Sequence, residues 1–231
     1  LNSAPSTVND GNYTYGNTNL MSKKLRDSLK YHGKYMVYQE NIYVGYRYYE
    51  TRYADLIMNR GNASSVKGAK HSTLNWNYDE EVAFPFGYGA SYTEFEYSNF
   101  DVSVKDDNYI ISVDVKNVGD YPGKEVVQAY LQKPYTEDDI DLEIEKSAIE
   151  LAGFTKTKLL QKNEKETVTI TVPKEYFKTF DANDEGTYII EEGTYYLTVA
   201  SDSHIAINNI LETEGYNVSQ KVMTGNPRDV L

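Results

Sequence analysis

Between residues 95 and 200 apolar side chains recur at every second position, in short runs broken by turn residues. Ile111, Val113 and Val115 alternate with Ser112, Asp114 and Lys116, and Val168, Ile170 and Val172 repeat the pattern. Val127, Ala129 and Leu131 share one parity of a further run whose other parity is Val126, Gln128 and Tyr130. A period of two is that of a strand with one face in a core. Phe95 and Tyr97 stand on one parity and Phe100, Val102 and Val104 on the other, so the first strand slips by one residue near Asn99, as at a β-bulge. Residues 149–155, 188–191 and 193–200 complete roughly seven short strands, with Tyr195, Leu197 and Val199 facing in. Turn residues separate them at 106–108, 117–123 and 161–163, and Pro173 opens a short helical turn over 174–179. Two facing antiparallel sheets, a β-sandwich without a cysteine pair, are the architecture this pattern predicts.

The flanks read differently. Residues 1–20 are rich in Asn, Ser, Thr and Gly and have the composition of a linker. A short amphipathic helix is expected over 21–31, with Ser22 as N-cap and Leu25 and Leu29 on one face. Tyr35 to Tyr49 is a β-prone run broken by Asn41 and Gly45, which predicts a strand carrying Arg47 among aromatics. There Arg47 either bridges two domains through a carboxylate, Glu50 or a distant one, or positions a polar ligand. Leu56, Ile57 and Met58 suggest a helical turn, and residues 61–73 an exposed loop. Residues 82–93 are compact: Pro85 fixes its own φ, Gly87 and Gly89 permit positive φ or close approach, and Phe84, Phe86, Tyr88 and Tyr92 supply large apolar area. Residues 134–145 read as a solvated acidic loop. Ile207, Ile210 and Leu211 have helical spacing near the end of the chain.

Composition narrows the chemistry. Tyrosine outnumbers the other aromatics, 23 against 7 Phe and 1 Trp, which suits strands and half-wet surfaces. A net charge of −12 argues against nucleic acid, whose phosphates need Lys and Arg. No window has the length of a membrane span, and the N-terminus lacks the basic start and apolar run of a signal peptide. The chain begins with Leu1, as a fragment or processed product would. With no Cys there is neither a disulfide framework nor thiolate chemistry. The host compartment stays open between bacterial cytoplasm and secretion. The Asn-X-Ser/Thr tripeptides at Asn12, Asn62 and Asn217 are common by chance.

No catalytic or ligand motif survives scrutiny. His32, His71 and His204 are far apart and lack zinc-ligand spacing. The acidic run at 137–141 has no EF-hand glycine. Gly87-Tyr-Gly89 is a lone G-x-G without a following helix, and Gly89-Ala-Ser91 lacks the closing glycine of a nucleophile elbow. No catalytic, metal or cofactor residue is therefore assigned, and no cofactor is expected.

The blocks YQENIYVGYRYYETRY, VAFPFGYGASYTEFEYSNF, VKNVGDYPGKEVVQAYLQ, ELAGF and GTYYLTVASDSH, in this order over residues 35–205, resemble the C-terminal part of glycoside hydrolase family 3 enzymes of the β-glucosidase type. The resemblance implies a mainly β fold: an immunoglobulin/fibronectin type III-like sandwich preceded by an irregular tyrosine-rich interdomain segment. It divides the chain into a linker or tail of a missing domain (1–34), the segment leading from an α/β sandwich domain (35–96), the β-sandwich (97–203), and a short helix with linker (204–231). It also implies a parent whose catalytic barrel and α/β sandwich domains carry an Asp nucleophile and a Glu acid/base for retaining hydrolysis. The Ser-Asp-Trp context of that nucleophile is missing, since Trp76 lies between Asn75 and Asn77. The chain alone is thus expected to be inactive, meeting carbohydrate substrate only indirectly, through those partner domains. Some relatives permute their domains, so the barrel could follow residue 231. Ala90 replaces the Leu usual in that block. Tyr43, Tyr46, Arg47, Tyr49, Phe84, Phe86 and Tyr88 become candidates for an interdomain seam, expected to be exposed or disordered in this chain. The alternative is a stand-alone carbohydrate- or protein-binding β-sandwich.

Overall fold

A computed structural model describes residues 42–59, 77–142 and 144–218. The linker at 1–20, the helix expected at 21–31, the loop at 61–73, His32, His71, Trp76, Asn12, Asn62 and the tail beyond 218 lie outside the described residues. Helix α1 (Tyr46–Met58) and the single turn α2 (Tyr78–Glu81) come first. Strands β1 (Phe95–Lys105), β2 (Asn108–Asn117) and β3 (Val126–Gln132) follow, then the short helix α3 (Glu137–Asp141). Next come β4 (Glu150–Lys156), β5 (Lys165–Pro173) and a 3-10 turn (Lys174–Phe177). The hairpin of β6 (Thr179–Asp181) and β7 (Thr187–Ile189) precedes β8 (Tyr196–Ala200) and helix α4 (Ser203–Thr213).

The strands form two three-stranded antiparallel sheets, ordered β1-β2-β5 and β4-β3-β8, with β6-β7 as a separate ribbon. The alternation in the sequence is the interior of the sandwich. Ile111, Val113 and Val115 of β2 and Val168, Ile170 and Val172 of β5 are buried, as are Val127, Ala129, Leu131 and Val199 of the other sheet. Each of these Val, Ile and Leu side chains removes enough apolar area to contribute about 1.5–3 kcal/mol. Leu197 and Tyr195 are half-buried against the same core.

Strand β1 contains the expected bulge. Its register with β2 shifts between Ser98 and Asp101, and Asn99 adopts φ 53°. Asn tolerates that left-handed conformation better than most residues, and here its side chain is used: Nδ2 donates to Asp114 Oδ2 at 2.7 Å. Asp114 also accepts from Lys165 Nζ at 2.7 Å and from the Thr167 hydroxyl. These hydrogen bonds, Lys165 first, hold its carboxyl well below the ordinary 3.8. A depressed carboxylate contributes stability above its unfolded pKa and loses it as pH falls through the folded one. Asp114→Asn is expected to lower Tm at neutral pH and to flatten the acid limb of a Tm-against-pH curve below about pH 4. An acid limb of unchanged slope would remove Asp114 from that role.

Strand β3 is buried on both parities because it is central. One face looks into the sandwich, and the other is covered by helices. Tyr130, fully buried, meets Tyr46 of α1 edge-on at 6.3 Å, and Asn209 of α4 donates to Thr198 of β8 at 3.2 Å. Asp202 caps α4 by accepting from Ile205 N at 2.9 Å. Ile205, Ile207, Ile210 and Leu211 are buried, so the expected helical spacing is real, and the helix is part of the core.

Three expectations are corrected. Residues 46–49 are helical, not a strand: Gly45 (φ 60°, ψ −128°) turns the chain, and α1 runs on to Met58. Tyrosine has only a slight bias between the two states, and packing of one helix face on the sheet decides. The acidic run is not a solvated loop throughout. Thr136 and Asp139 form a capping box that starts α3, and Asp139 is buried against Lys146. The helical turn expected over 174–179 ends at Phe177, and Thr179–Asp181 is instead a strand paired with β7.

Candidate interdomain seam and the buried network beneath it

The seam candidates divide into a half that packs on the sandwich and a half that faces out. The Tyr46 hydroxyl accepts from Leu151 N at 2.9 Å, at the edge of β4. Arg47 Nη2 lies 3.5 Å from Glu150, the distant carboxylate, and Glu50 is engaged elsewhere. Tyr43 donates weakly to Lys146 O at 3.4 Å, and burial pushes its hydroxyl up from the ordinary tyrosine value. Tyr49 packs edge-on to Tyr48 at 5.3 Å. Phe86 stacks on Tyr46 at 4.5 Å, and Phe84 on Tyr88 at 5.1 Å. Yet Phe84 remains 62% and Phe86 45% exposed, and Tyr92, farther along the same stretch, is also exposed.

The strap that presents Phe84 and Phe86 is clamped from behind. Gly87 has φ 91°, and a Cβ there would come within 2.2 Å of Gln128 Oε1, so this position requires glycine. Gln128 Nε2 donates to Gly87 O at 3.3 Å, and Ser203 N donates to Phe86 O at 2.9 Å. Behind residue 93 the chain is fixed by Asn117, fully buried. Asn117 accepts from the Thr93 hydroxyl at 2.6 Å and donates to Leu160 O and Tyr121 O at 2.9 and 2.8 Å. Gly119 follows because a Cβ would lie 2.3 Å from Thr93 Oγ1. The VGDYPG motif therefore serves the junction between strap and sandwich.

Under the strap lies a polar network that sequence reasoning missed. Glu50, 1% exposed, accepts from Tyr78 at 2.6 Å and from Ser203 at 2.8 Å through Oε1, and its Oε2 is 2.9 Å from His204 Nδ1. A contact to an acceptor requires the proton on Nδ1. The His204 ring stacks on Tyr78 at 3.9 Å, and Tyr53, tilted against His204, donates to Asn208 at 2.7 Å. Burial, then the Glu50 charge, drives the Tyr78 hydroxyl pKa far up. Ser, His and Glu meet here, but not as a nucleophilic relay: Ser203 donates to the carboxylate and not to the histidine, and all three are buried. The network joins α1, α2 and α4. Only the identity of Glu50 as an acid within an aromatic run hinted at it.

A second buried cluster holds the sandwich end. Lys146 Nζ is 2.7 Å from Asp139, donates to Pro134 O at 2.9 Å and contacts Glu191. No group of three or more His, Cys, Asp or Glu among the described residues has the geometry to hold a metal ion. No helix among them is long and apolar enough to cross a membrane.

The chain is similar to known proteins over most of its length. The family model of the fibronectin type III-like domain matches residues 125–203. A β-glucosidase of Ruminococcus albus is 36% identical over 172 residues, which are 72% of this chain and 15% of that protein. A β-glucosidase of Kluyveromyces marxianus is 34% identical over 186 residues, 80% of this chain and 18% of that protein. The structure of β-glucosidase 3B from Thermotoga neapolitana in complex with α-D-glucose superposes with a TM-score of 0.55 at 32% identity, covering 74% of this chain and 19% of that one. The chain thus spans less than one fifth of the length of the relatives it matches.

Proposed function

Because this chain belongs to the β-glucosidase type of glycoside hydrolase family 3, as part of the C-terminal region that includes the fibronectin type III-like domain, we propose that it is the accessory portion of a β-glycosidase. It stabilises or positions catalytic domains and does not catalyse on its own. On this reading the parent hydrolyses O-glycosyl bonds with retention, using an Asp nucleophile on a barrel and a Glu acid/base on an α/β sandwich domain. Residues 35–96 lead from that domain, and residues 97–203 are the sandwich.

One observation carries the proposal: Phe84 and Phe86 stay exposed on a strap that Gln128 and Ser203 hold rigidly in place. A rigid apolar platform loses little entropy on docking. Tyr46 backs Phe86 and Tyr88 stacks on Phe84 within the strap, while Tyr43, Arg47 and Tyr49 make their contacts elsewhere on the chain.

The test uses the parent enzyme and this chain. The chain alone is expected to release no nitrophenol from an aryl β-glucoside. Added to the separately produced remainder of its parent, it is expected to bind and raise activity. Phe84→Ala with Phe86→Ala is expected to weaken that association by about 2–4 kcal/mol, as for truncated interface anchors. Turnover by the isolated chain, or unchanged association in the double variant, would overturn the reading.

A further inference from the structure

A groove beside the N-terminal end of α1, lined by Ile42 and Arg47, has a different character. It encloses about 470 Å³, within the size range of small-ligand sites. Its floor is apolar, Leu131 and Ala152 of the inner sheet. One wall is the β6-β7 hairpin, whose Phe180 and Tyr188 pack edge to face at 5.2 Å and yet remain 50% and 66% exposed. Tyr176 extends this wall at 47% exposed. The opposite wall is polar: Glu150 lies 3.5 Å from Arg47 and 3.6 Å from Lys133.

The hairpin is built to hold its aromatics still. The Asp181 carboxylate accepts from the backbone N–H groups of Asn183, Asp184 and Glu185 at 3.0 to 3.1 Å, closing the turn. Asn183 Nδ2 ties the turn to Leu142 O at 2.7 Å, and Phe177 at its base stacks on Tyr109 at 4.4 Å. A two-stranded ribbon is marginal alone. This one is reinforced at tip and base, while the rings it carries are left uncovered.

We propose that this groove is a saccharide-binding subsite, taking a neutral hexopyranose unit whose C–H face stacks on Tyr188, the more exposed ring, which Phe180 holds edge-on, and whose hydroxyls bond to Glu150, Arg47 and Lys133. A pyranose has an apolar face and a rim of hydroxyls that both donate and accept. The groove offers aromatic faces beside two fixed donors and one acceptor. The Glu150 ion pairs are long, which leaves carboxylate lone pairs for a hydroxyl. Cations and carboxylates nearly balance along the lining, so a phosphate gains little there. A peptide strand adding to the β4 edge would lack the Leu151 N–H, already donated to Tyr46. The groove shares Arg47 with the seam candidates, but none of residues 84–89 lines it, so variants at Phe180 and Tyr188 test it separately from the strap.

The experiment is ligand-observed NMR and calorimetry on the 231-residue chain with cellobiose and cellotriose. Saturable binding is expected in the millimolar range, with saturation transfer to the ring C–H protons. Phe180→Ala and Tyr188→Ala, both exposed, are each expected to weaken binding about tenfold with Tm unchanged. Absence of saturable binding, or affinity unchanged in the double variant, would overturn the site. So would variants that bind sugar normally but lose association with the remainder of the parent, since the rings would then be a protein contact. That last result leaves the strap test, read from Phe84 and Phe86, undisturbed.

Discussion

Glu50→Ala is expected to lower stability by about 3–5 kcal/mol, a large share of what holds a domain of this size together. The carboxylate accepts from the Tyr78 and Ser203 hydroxyls and lies against His204 Nδ1. Removing it takes a shared buried acceptor from all three, and a buried group left unsatisfied costs about 1–3 kcal/mol. The loss is not confined to α1. Tyr78 and His204 stack on each other, so α2 and α4 lose their shared anchor as well. Chemical denaturation of the isolated chain measures the effect. Glu50→Gln keeps the shape and one acceptor and is expected to recover part of the loss. A Glu50→Ala chain within about 1 kcal/mol of the parent sequence would show that the network is ornamental to stability.

Lys146→Met is the second large effect, about 3–5 kcal/mol at neutral pH. The ammonium is almost wholly enclosed, as is Asp139, and it also contacts Glu191. Methionine fills the volume but leaves two carboxylates facing each other. The pH dependence then has a definite sign. Burial already raises the Glu191 carboxyl above its ordinary value, with Lys146 opposing the rise. Without Lys146 the rise is larger. A carboxyl whose folded pKa is raised gains stability as pH falls through that value. The deficit of the variant is therefore expected to shrink on acidification from pH 7 towards about pH 5. This is the reverse of the Asp114 behaviour, where acid removes stability. Tm measured across that range for both proteins checks it, and a deficit that grows in acid would contradict the assignment.

The division between what was legible and what was not follows the range of the interactions. The strands of the sandwich were legible because Ile111, Val113, Val115, Val168, Ile170 and Val172 each face the same core from a period-two backbone. The bulge at Asn99 was legible as a change of parity, and the 3-10 turn after Pro173 as a proline start. The exposed strap could be anticipated from its block of aromatics around Gly87. Its clamp could not, because Gln128 and Ser203 come from other strands and helices.

The sequence by itself determined the sandwich and the family, since both are written in local alternation and in contiguous blocks. Tertiary structure decided the rest. Residues 46–58 became a helix because their tyrosines and Glu50 find partners on the sheet and on α4, and no local preference was strong enough to oppose it. Glu50 and His204 are 154 positions apart, and Arg47 chose Glu150 over its near neighbour. Lys146 turned an acidic run that looked solvated into one wall of a buried ion cluster. Charge pairing across such distances leaves no period in the chain, because an ion pair depends on where two side chains arrive and not on how either segment folds locally.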